Sequence, residues 1–143
     1  MKQLLNKTAL VTGASRGIGK AIAMQLATEG CFVILHYSND RAAADALLET
    51  VESIGGKGAL IQATFGQQGA VETQVEQFDR VLGDKKLDIL INNAGILHRV
   101  NLAEMSEEQY DELFDINVKA PFFLTQQLVP RMNDGGRIIN LSS

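Results

Sequence analysis

Three glycines near the N-terminus have the spacing that most clearly indicates chemistry. Gly13, Gly17 and Gly19 lie in the segment TGASRGIG, between a short apolar run and a segment of helical periodicity. In such a turn the first glycine lets the chain bend sharply, the second lets backbone approach a pyrophosphate, and the third allows close helix packing. The following helix N-terminus offers free N–H groups and partial positive charge to an anion. A tight turn that binds nothing is the weaker interpretation, because the strand–turn–helix context is the one that phosphate binding requires. The expected cofactor contacts are Gly13, Ser15, Arg16, Gly17, Ile18 and Gly19.

The end of the second predicted strand distinguishes between the two nicotinamide dinucleotides. An NAD site usually has an acidic residue there, about twenty residues past the glycines, that accepts a hydrogen bond from the ribose 2′-hydroxyl. Tyr37, Ser38 and Asn39 occupy this place, and Asp40 comes a few residues late. The sequence therefore disfavours NAD. Tyr37, Ser38 and Asn39 are expected to lie near the ribose.

Two arginines supply positive charge to the same region. Arg16 lies inside the glycine turn and Arg41 opens the next predicted helix. Guanidinium groups pair well with a 2′-phosphate dianion. Arg41 has a second interpretation as a solvated residue at a helix start, although a cation there opposes the helix dipole. Together with the missing acid, the arginines predict NADP(H) as the cofactor.

Alternating strands and helices must position these residues. Apolar runs predict strands, and apolar spacing of three and four residues predicts the helices between them. The predicted strands cover residues 8–11, 32–36, 59–63, 87–91 and 137–141, and the predicted helices cover residues 18–29, 41–54, 71–82, a segment from the capping box at 106–109 to 114, and 121–132. Gly135 and Gly136 are expected to form a turn before the last strand. This order predicts an α/β fold with a parallel sheet in one domain over residues 1–143.

Composition excludes several other classes of protein. The 143 residues are 45% hydrophobic and 21% charged, which is usual for a soluble globular protein. A net charge of −4 argues against nucleic acid, and no apolar run approaches the length of a membrane span. Cys31 is the one cysteine, which indicates a small buried hydrophobe and fits a reducing compartment. We therefore expect a cytoplasmic protein with no nucleic-acid, membrane or metal partner.

Four linked motifs resemble the short-chain dehydrogenase/reductase family. They are TGASRGIG, NNAG at residues 92–95, Asn117 within FDINVKAPFFLTQ, and GRIINLSS at the end of the sequence. They occur in the family's order and spacing along the whole chain, and most resemble 3-oxoacyl-(acyl-carrier-protein) reductases and glucose dehydrogenase-like members. The resemblance implies a Rossmann-type doubly wound parallel sheet, strand order 3-2-1-4-5, helices on both faces, and hydride transfer between NADP(H) and a small carbonyl or alcohol substrate.

The resemblance also implies roles for single residues. Asn93, Ala94 and Gly95 would line the ribose and nicotinamide side of the cofactor. Asn117 corresponds to an asparagine that holds a water through its backbone at a helix kink, although read alone it is only a mid-helix polar residue. Ser143 corresponds to the serine that donates a hydrogen bond to the substrate carbonyl.

Asn92 and Ser142 flank these positions. Asn92 is interpreted as a structural asparagine that bonds backbone in the turn, in preference to a ligand contact. Ser142 precedes the serine expected to be catalytic.

The sequence departs from the family pattern at two places. Thr64 stands where the family often has an aspartate that meets the adenine amine, so adenine would be held more weakly or differently. The family's tyrosine and lysine, four residues apart, form its general acid/base, and no such pair occurs: Arg41 follows Tyr37 and Phe114 follows Tyr110 at that distance. We expect these 143 residues to belong to a longer enzyme and not to turn over alone.

Two further interpretations stay open. The chain could be a non-catalytic NADP-binding fragment, or a product that neither folds nor binds well. For the complete enzyme the resemblance implies a homo-oligomer, with the helices around residues 111–132 at a subunit interface. Phe122, Phe123 and Leu124 fit burial there or against the sheet equally well.

Overall fold

A five-stranded parallel sheet forms the centre of the computed structural model, which describes residues 1–142. Its strands lie in the order β3-β2-β1-β4-β5, and every pairing is parallel, as expected from the sequence. The strands are β1 (Thr8–Val11), β2 (Phe32–Tyr37), β3 (Lys57–Gln62), β4 (Leu87–Asn92) and β5 (Met132–Asn140). The order reverses between β1 and β4, so the carboxyl ends of β1, β2 and β4 surround a crevice.

Helices cover both faces of this sheet. They are α1 (Gly17–Thr28), α2 (Arg41–Ser53), α3 (Ala70–Leu82), α4 (Glu107–Phe114) and α5 (Ala120–Leu128). On one face α1 and α2 bury Ala23, Ala27, Leu47 and Val51 against the strands. On the other face α3 and α5 pack around the fully buried Phe78. Because both faces of the central strands are covered, these strands are apolar at nearly every position.

The buried face of α1 is made of small residues and not of its large apolar ones. Ile18, Ile22 and Leu26 recur every four residues and would share one face, but the buried residues of the helix are Gly19, Ala23 and Ala27. Small side chains let α1 lie close to the sheet, while the side chain of Ile18 is 66% exposed. Ile18 is thereby free to face the crevice at the strand ends.

Gly135 and Gly136 do not form a turn before the last strand, which corrects the expectation. They lie inside β5, which begins at Met132. Met132 pairs with Leu87 and Arg137 with Ile89, so the register shifts between them and the extra residues bulge. Gly135 has a φ of 78°, a conformation that glycine adopts without strain.

The α4–α5 region is one helical run rather than two separate helices. The predicted capping box forms, since the Ser106 side chain accepts from the Gln109 backbone and the Gln109 side chain accepts from the Ser106 backbone. A π-helical segment, Asp115–Lys119, joins α4 to α5, and a 3-10 turn at Val129–Arg131 ends the run near Pro130. Every helix in residues 1–142 falls short of the length and hydrophobicity that a bilayer span needs.

Cys31, directly before β2, is buried, as the sequence indicated. Burial, with a smaller contribution from the carboxylate of Asp88, raises the pKa of its thiol to about 11. The thiol is therefore protonated at neutral pH and has little thiolate reactivity.

Candidate active site

The glycine turn adopts a conformation that requires glycine at two places. Gly13 and Gly17 have φ values of 61° and 58°, in the left-handed region. A Cβ on Gly13 would lie 2.9 Å from the Cα of Ala94, whereas a Cβ on Gly17 would meet nothing within 4 Å. Gly13 is thus needed for packing as well as for its φ, and Gly17 faces open space above the turn.

Gly19 was expected to allow close packing of the helix, and it also lies against the glycine turn and the NNAG segment. Its Cβ would lie 2.2 Å from the Gly13 carbonyl oxygen and 2.4 Å from the Nδ2 atom of Asn93. The glycine therefore makes room for the turn and for the NNAG segment, in addition to bringing α1 close to the sheet.

Thr12 and Asn93 join the two segments that follow β1 and β4. The Asn93 amide donates to the carbonyl oxygens of Thr12 and Gly13, at 3.0 Å each. The Thr12 hydroxyl oxygen accepts from the backbone N–H groups of Asn93 and Ala94, at 3.0 and 2.9 Å. The Asn93 side chain, expected from the family resemblance to line the cofactor, is engaged in fixing the glycine turn. The importance of Thr12 was not recognised from the sequence, although a threonine directly before the turn was a usable signal.

The N-terminus of α1 points into the crevice without a cap. Arg16 is the N-cap residue, its side chain makes no capping hydrogen bond, and the first turn contains no acidic residue. Among residues 1–142, Arg16 forms no ion pair within 4.0 Å, and its side chain is exposed. An uncapped helix N-terminus beside an unpaired guanidinium is a favourable place for a phosphate.

The end of β2 separates the residues proposed for the ribose into two groups. Ser38 and Asn39 line the crevice together with Asp40, whose carboxylate also caps α2 by accepting from the Ala43 N–H at 2.9 Å. Tyr37 and Arg41 stand outside this lining among the described residues.

Arg41 is engaged on its own helix. Its Nε lies 3.0 Å from Asp45, and its Nη1 donates to the Tyr37 hydroxyl at 3.3 Å. The ring of Tyr37 is buried, with 7% of the residue exposed. To reach a phosphate in the crevice, the Arg41 guanidinium must leave these partners.

The end of β3 contributes an aromatic wall instead of a carboxylate. The Thr64 hydroxyl accepts from the Gln62 amide at 3.3 Å, and Thr64 is not part of the crevice lining within residues 1–142. Phe65 lines the crevice and stacks on the imidazole of His36, with ring centroids 4.6 Å apart. His36 was assigned no function from the sequence, yet it lines the same crevice.

These segments enclose a cavity of about 530 Å³. Its residues come from the ends of β1, β2, β3 and β4 and from the π-helical segment. They are Gly13, Ser15, Arg16, Gly17, Ile18, His36, Ser38, Asn39, Asp40, Phe65, Asn93, Ala94, Gly95, Ile96 and Ile116. We call this space the turn cavity.

Asn117 lies in the π-helical segment and holds the loop after β4. Its amide donates to the Ile96 carbonyl oxygen and its Oδ1 accepts from the Ile96 N–H, both at 2.8 Å. A Cβ on Gly95 would lie 3.1 Å from the same Oδ1. A helix irregularity therefore exists at Asn117, and π-helical turns occur frequently at functional sites.

A second cavity, of about 530 Å³, adjoins the turn cavity at Ala94. Asn117 and Ser142 are both in its lining, with Phe122 and Thr125 of α5. The structure thus brings Asn117 and Ser142 to one space, whereas Ser143, the predicted catalytic serine, lies outside the described residues.

Asn92 has the structural role expected of it, but its partners are side chains instead of turn backbone. Its amide donates to the Thr125 hydroxyl at 3.0 Å and to the Asn140 side-chain oxygen at 2.8 Å. It thereby ties β4 to α5 and β5.

Comparison with known proteins agrees with this arrangement. The family profile described as short chain dehydrogenase matches residues 7–143. An uncharacterized oxidoreductase from Methylorubrum extorquens is 42% identical over 147 residues, covering 100% of this chain and 57% of the relative. A 3-oxoacyl-[acyl-carrier-protein] reductase from Staphylococcus epidermidis is 39% identical, covering 97% of this chain and 57% of the relative.

Among solved structures, the angucycline C-6 ketoreductase LanV with bound NADP superposes with a TM-score of 0.95 at 44% identity, covering 98% of this chain and 56% of LanV. The chain thus spans a little over half the length of these relatives. With its fold, its glycine turn and its match to the family profile, the chain belongs to the short-chain dehydrogenase family.

Proposed function

We propose that the chain is the NADP(H)-binding part of an oxidoreductase that transfers hydride between nicotinamide and a carbonyl or alcohol carbon. The observation that carries the proposal is the turn cavity, where an uncapped helix N-terminus and the unpaired Arg16 meet at the carboxyl ends of the strands. The NADP in the LanV crystal structure supports the choice of cofactor.

The residues present fit such a cofactor. Gly17 leaves open space where a pyrophosphate must approach the backbone, and Ser15 lies beside it in the lining. Arg16 would pair with the 2′-phosphate, and Ser38 and Asn39 would donate hydrogen bonds near it. Ala94 and Gly95, at the junction with the second cavity, would border the ribose and nicotinamide.

Bound NADPH supplies the hydride, while the protein contributes position and a proton. In this proposal Asn117 takes part in the proton relay, and its two hydrogen bonds to Ile96 hold the loop that borders the nicotinamide. We assign to Ser143 the hydrogen bond to the substrate carbonyl, and we place the substrate in the second cavity, beside Ser142.

A non-catalytic NADP-binding protein is the second candidate. The two candidates share the turn cavity and differ in turnover, so cofactor binding is tested first.

Thermal unfolding with and without NADPH tests the shared part of the proposal. A ligand that binds only the native state stabilises it by about 2.7 kcal/mol at a concentration 100 times its Kd. We expect a higher Tm with saturating NADPH. An unchanged Tm, with calorimetric titration giving no heat, would refute cofactor binding.

Two substitutions test the preference for the 2′-phosphate. Arg16→Ala should weaken NADPH by about tenfold or more and NADH much less, because only NADPH has the phosphate dianion. Asp40→Asn keeps a side-chain oxygen for the cap and removes one negative charge from the cavity. It should leave NADH binding unchanged, whereas a selective loss of NADH would assign Asp40 to the ribose 2′-hydroxyl of NAD.

We extend the proposal to the whole enzyme in three respects. It takes a small-molecule substrate, it assembles as a homo-oligomer, and it works in the cytoplasm. The exposed Phe122 and Phe123, with 64% and 41% of their surfaces accessible, support an assembly contact on α5. The single cysteine supports a reducing compartment.

A further inference from the structure

His36 occupies an unusual position for a polar side chain. It is the second-last residue of β2, 2% exposed, and lies under the glycine turn between the ends of β1 and β3. Both faces of a central parallel strand normally carry apolar residues. A buried imidazole at this place therefore requires partners for both of its ring nitrogens.

Both ring nitrogens have backbone partners. The N–H of Gly13 donates to Nδ1 at 3.0 Å, and Nε2 lies 2.8 Å from the carbonyl oxygen of Ala63. An N–H can only donate and a carbonyl can only accept, so the ring is neutral, with its proton on Nε2.

The backbone of the same residue holds the next part of the turn. The Ala14 N–H donates to the His36 carbonyl oxygen at 2.9 Å. Two successive N–H groups of the glycine turn are thus fixed by one residue, the first by its side chain and the second by its main chain. On the other side, the ring stacks on Phe65, which forms the wall of the turn cavity after β3.

We infer that His36 is a positioning residue for the cofactor: its neutral imidazole sets the glycine turn against the segment after β3, and so fixes the width of the adenosine end of the turn cavity. The inference rests on the proposed function, because it assigns His36 to the NADP(H) site. His36 acts through Gly13 and Phe65.

The two hydrogen bonds can be separated by substitution. Asparagine has its oxygen at the distance of Nδ1 and can still accept from Gly13. Glutamine has its amide nitrogen at the distance of Nε2 and can still donate to Ala63. His36→Leu removes both bonds, and His98→Leu, at the other histidine of the sequence, is the matched control, because its imidazole pairs with Glu112 away from the turn cavity.

Calorimetric titration with 2′,5′-ADP, which carries the adenosine and phosphate end of NADP alone, tests the inference. Loss of the bond to Gly13 leaves a buried donor without a partner, so His36→Leu and His36→Gln should bind about tenfold more weakly or worse. His36→Asn keeps the bond to Gly13 and loses the bond to Ala63, so its affinity should lie between those of His36→Leu and the wild type, and His98→Leu should match the wild type. Circular dichroism at the titration temperature establishes that each variant compared is folded.

The outcomes separate the inference from the proposed function. A wild-type chain that does not bind 2′,5′-ADP overturns both. If the wild type binds and His36→Leu, or His36→Gln, binds equally well, only the role of His36 is refuted.

Nitrogen NMR of the wild-type rings provides a test that needs no variant to fold. We expect the His36 ring to carry its proton on Nε2 at neutral pH and Nδ1 to show the shift of a hydrogen-bond acceptor. A proton on Nδ1 would overturn the inference.

Discussion

Gly19 and Asn93 lie in such close contact that no side chain fits between them. A Cβ on Gly19 would come within 2.4 Å of the Asn93 Nδ2 atom, which itself donates to the Gly13 carbonyl oxygen at 3.0 Å. The start of α1, the glycine turn and the NNAG segment therefore form one packed unit at the carboxyl ends of the strands. The geometry of the phosphate site depends on a residue that is about 80 positions away along the sequence.

The first prediction concerns this contact. In Gly19→Ala, the new methyl group must displace either the Gly13 carbonyl or the Asn93 amide. Overpacking of this kind costs about 1–3 kcal/mol, so the free energy of unfolding in urea should fall by that amount. Unchanged stability, with unchanged NADPH affinity, would show that the turn is not packed as described.

A second prediction separates backbone strain from cofactor contact. Gly17 and Gly69 both have left-handed φ values, of 58° and 78°, and a Cβ on either meets nothing within 4 Å. Alanine at either position should therefore lower the free energy of unfolding by a similar amount, about 1 kcal/mol. Only Gly17→Ala should weaken NADPH binding, because only Gly17 lines the turn cavity. Equal NADPH affinities of the two variants would contradict the assignment of Gly17 to the pyrophosphate.

A third prediction uses two glutamines on α3. Gln74 is fully buried, and within residues 1–142 neither its Nε2 nor its Oε1 has a hydrogen-bond partner. Gln77 instead accepts from the Gln62 N–H at 2.9 Å and donates to the Gln62 carbonyl oxygen at 2.6 Å. Methionine has a shape close to that of glutamine and no amide. Gln74→Met should stabilise the fold by about 1–3 kcal/mol, because a buried unpaired amide is removed.

Gln77→Met is the control for this substitution. It leaves the backbone of Gln62 without two partners at the sheet edge, so it should destabilise the fold by about 1–3 kcal/mol. Urea denaturation measures both variants. A loss of stability in Gln74→Met would mean that its amide has a partner in solution.

The fourth prediction follows from the titration of His36. Burial lowers the pKa of its imidazole from 6.5 to about 4. Between these values the unfolded chain binds a proton that the folded chain does not, so stability falls as pH drops from 6.5 towards 4. At pH 4.5 the loss attributable to His36 is about 2 kcal/mol, and above pH 6.5 it vanishes.

The check compares the wild type with His36→Asn in urea at pH 7 and pH 4.5. Carboxylates also titrate in this range, but they contribute equally to both chains and cancel in the comparison. The wild type should lose about 2 kcal/mol more than the variant over this interval. The same loss in both chains would show that the His36 ring is not buried and neutral.

Local sequence patterns were sufficient for the alternation of strands and helices and for most element boundaries, whereas the order of the strands in the sheet came from the family resemblance. Apolar runs such as residues 87–91 are strands because both faces are covered, and Gly30, with a φ of 98°, follows the last turn of α1 in a conformation that commonly ends a helix. These signals are local, so they can be read without knowing the fold. The bulge in β5 is different, because it depends on the pairing of Met132 with Leu87 across the sheet.

The candidate site was less predictable, because its details depend on contacts between distant segments. Arg16 and Arg41 were both predicted phosphate ligands, with a second interpretation only for Arg41. The fold shows that Asp45, one helical turn on, pairs with Arg41, while Arg16 forms no ion pair in the described chain. His36 was read as a strand residue, since its two backbone partners lie 23 and 27 positions away. Only the fold brings these groups together.

Amide NMR of the ¹⁵N-labelled chain titrated with NADPH tests the central claim most directly. The account predicts shifts at Gly13, Gly17 and Asn39, which line the turn cavity. It predicts no shifts at Lys57 and Lys86, which lie at the opposite edge of the sheet, where β3 and β4 begin. Absence of any shift at saturating NADPH, or shifts confined to the region of Lys57 and Lys86, would contradict the assignment of the turn cavity to the cofactor.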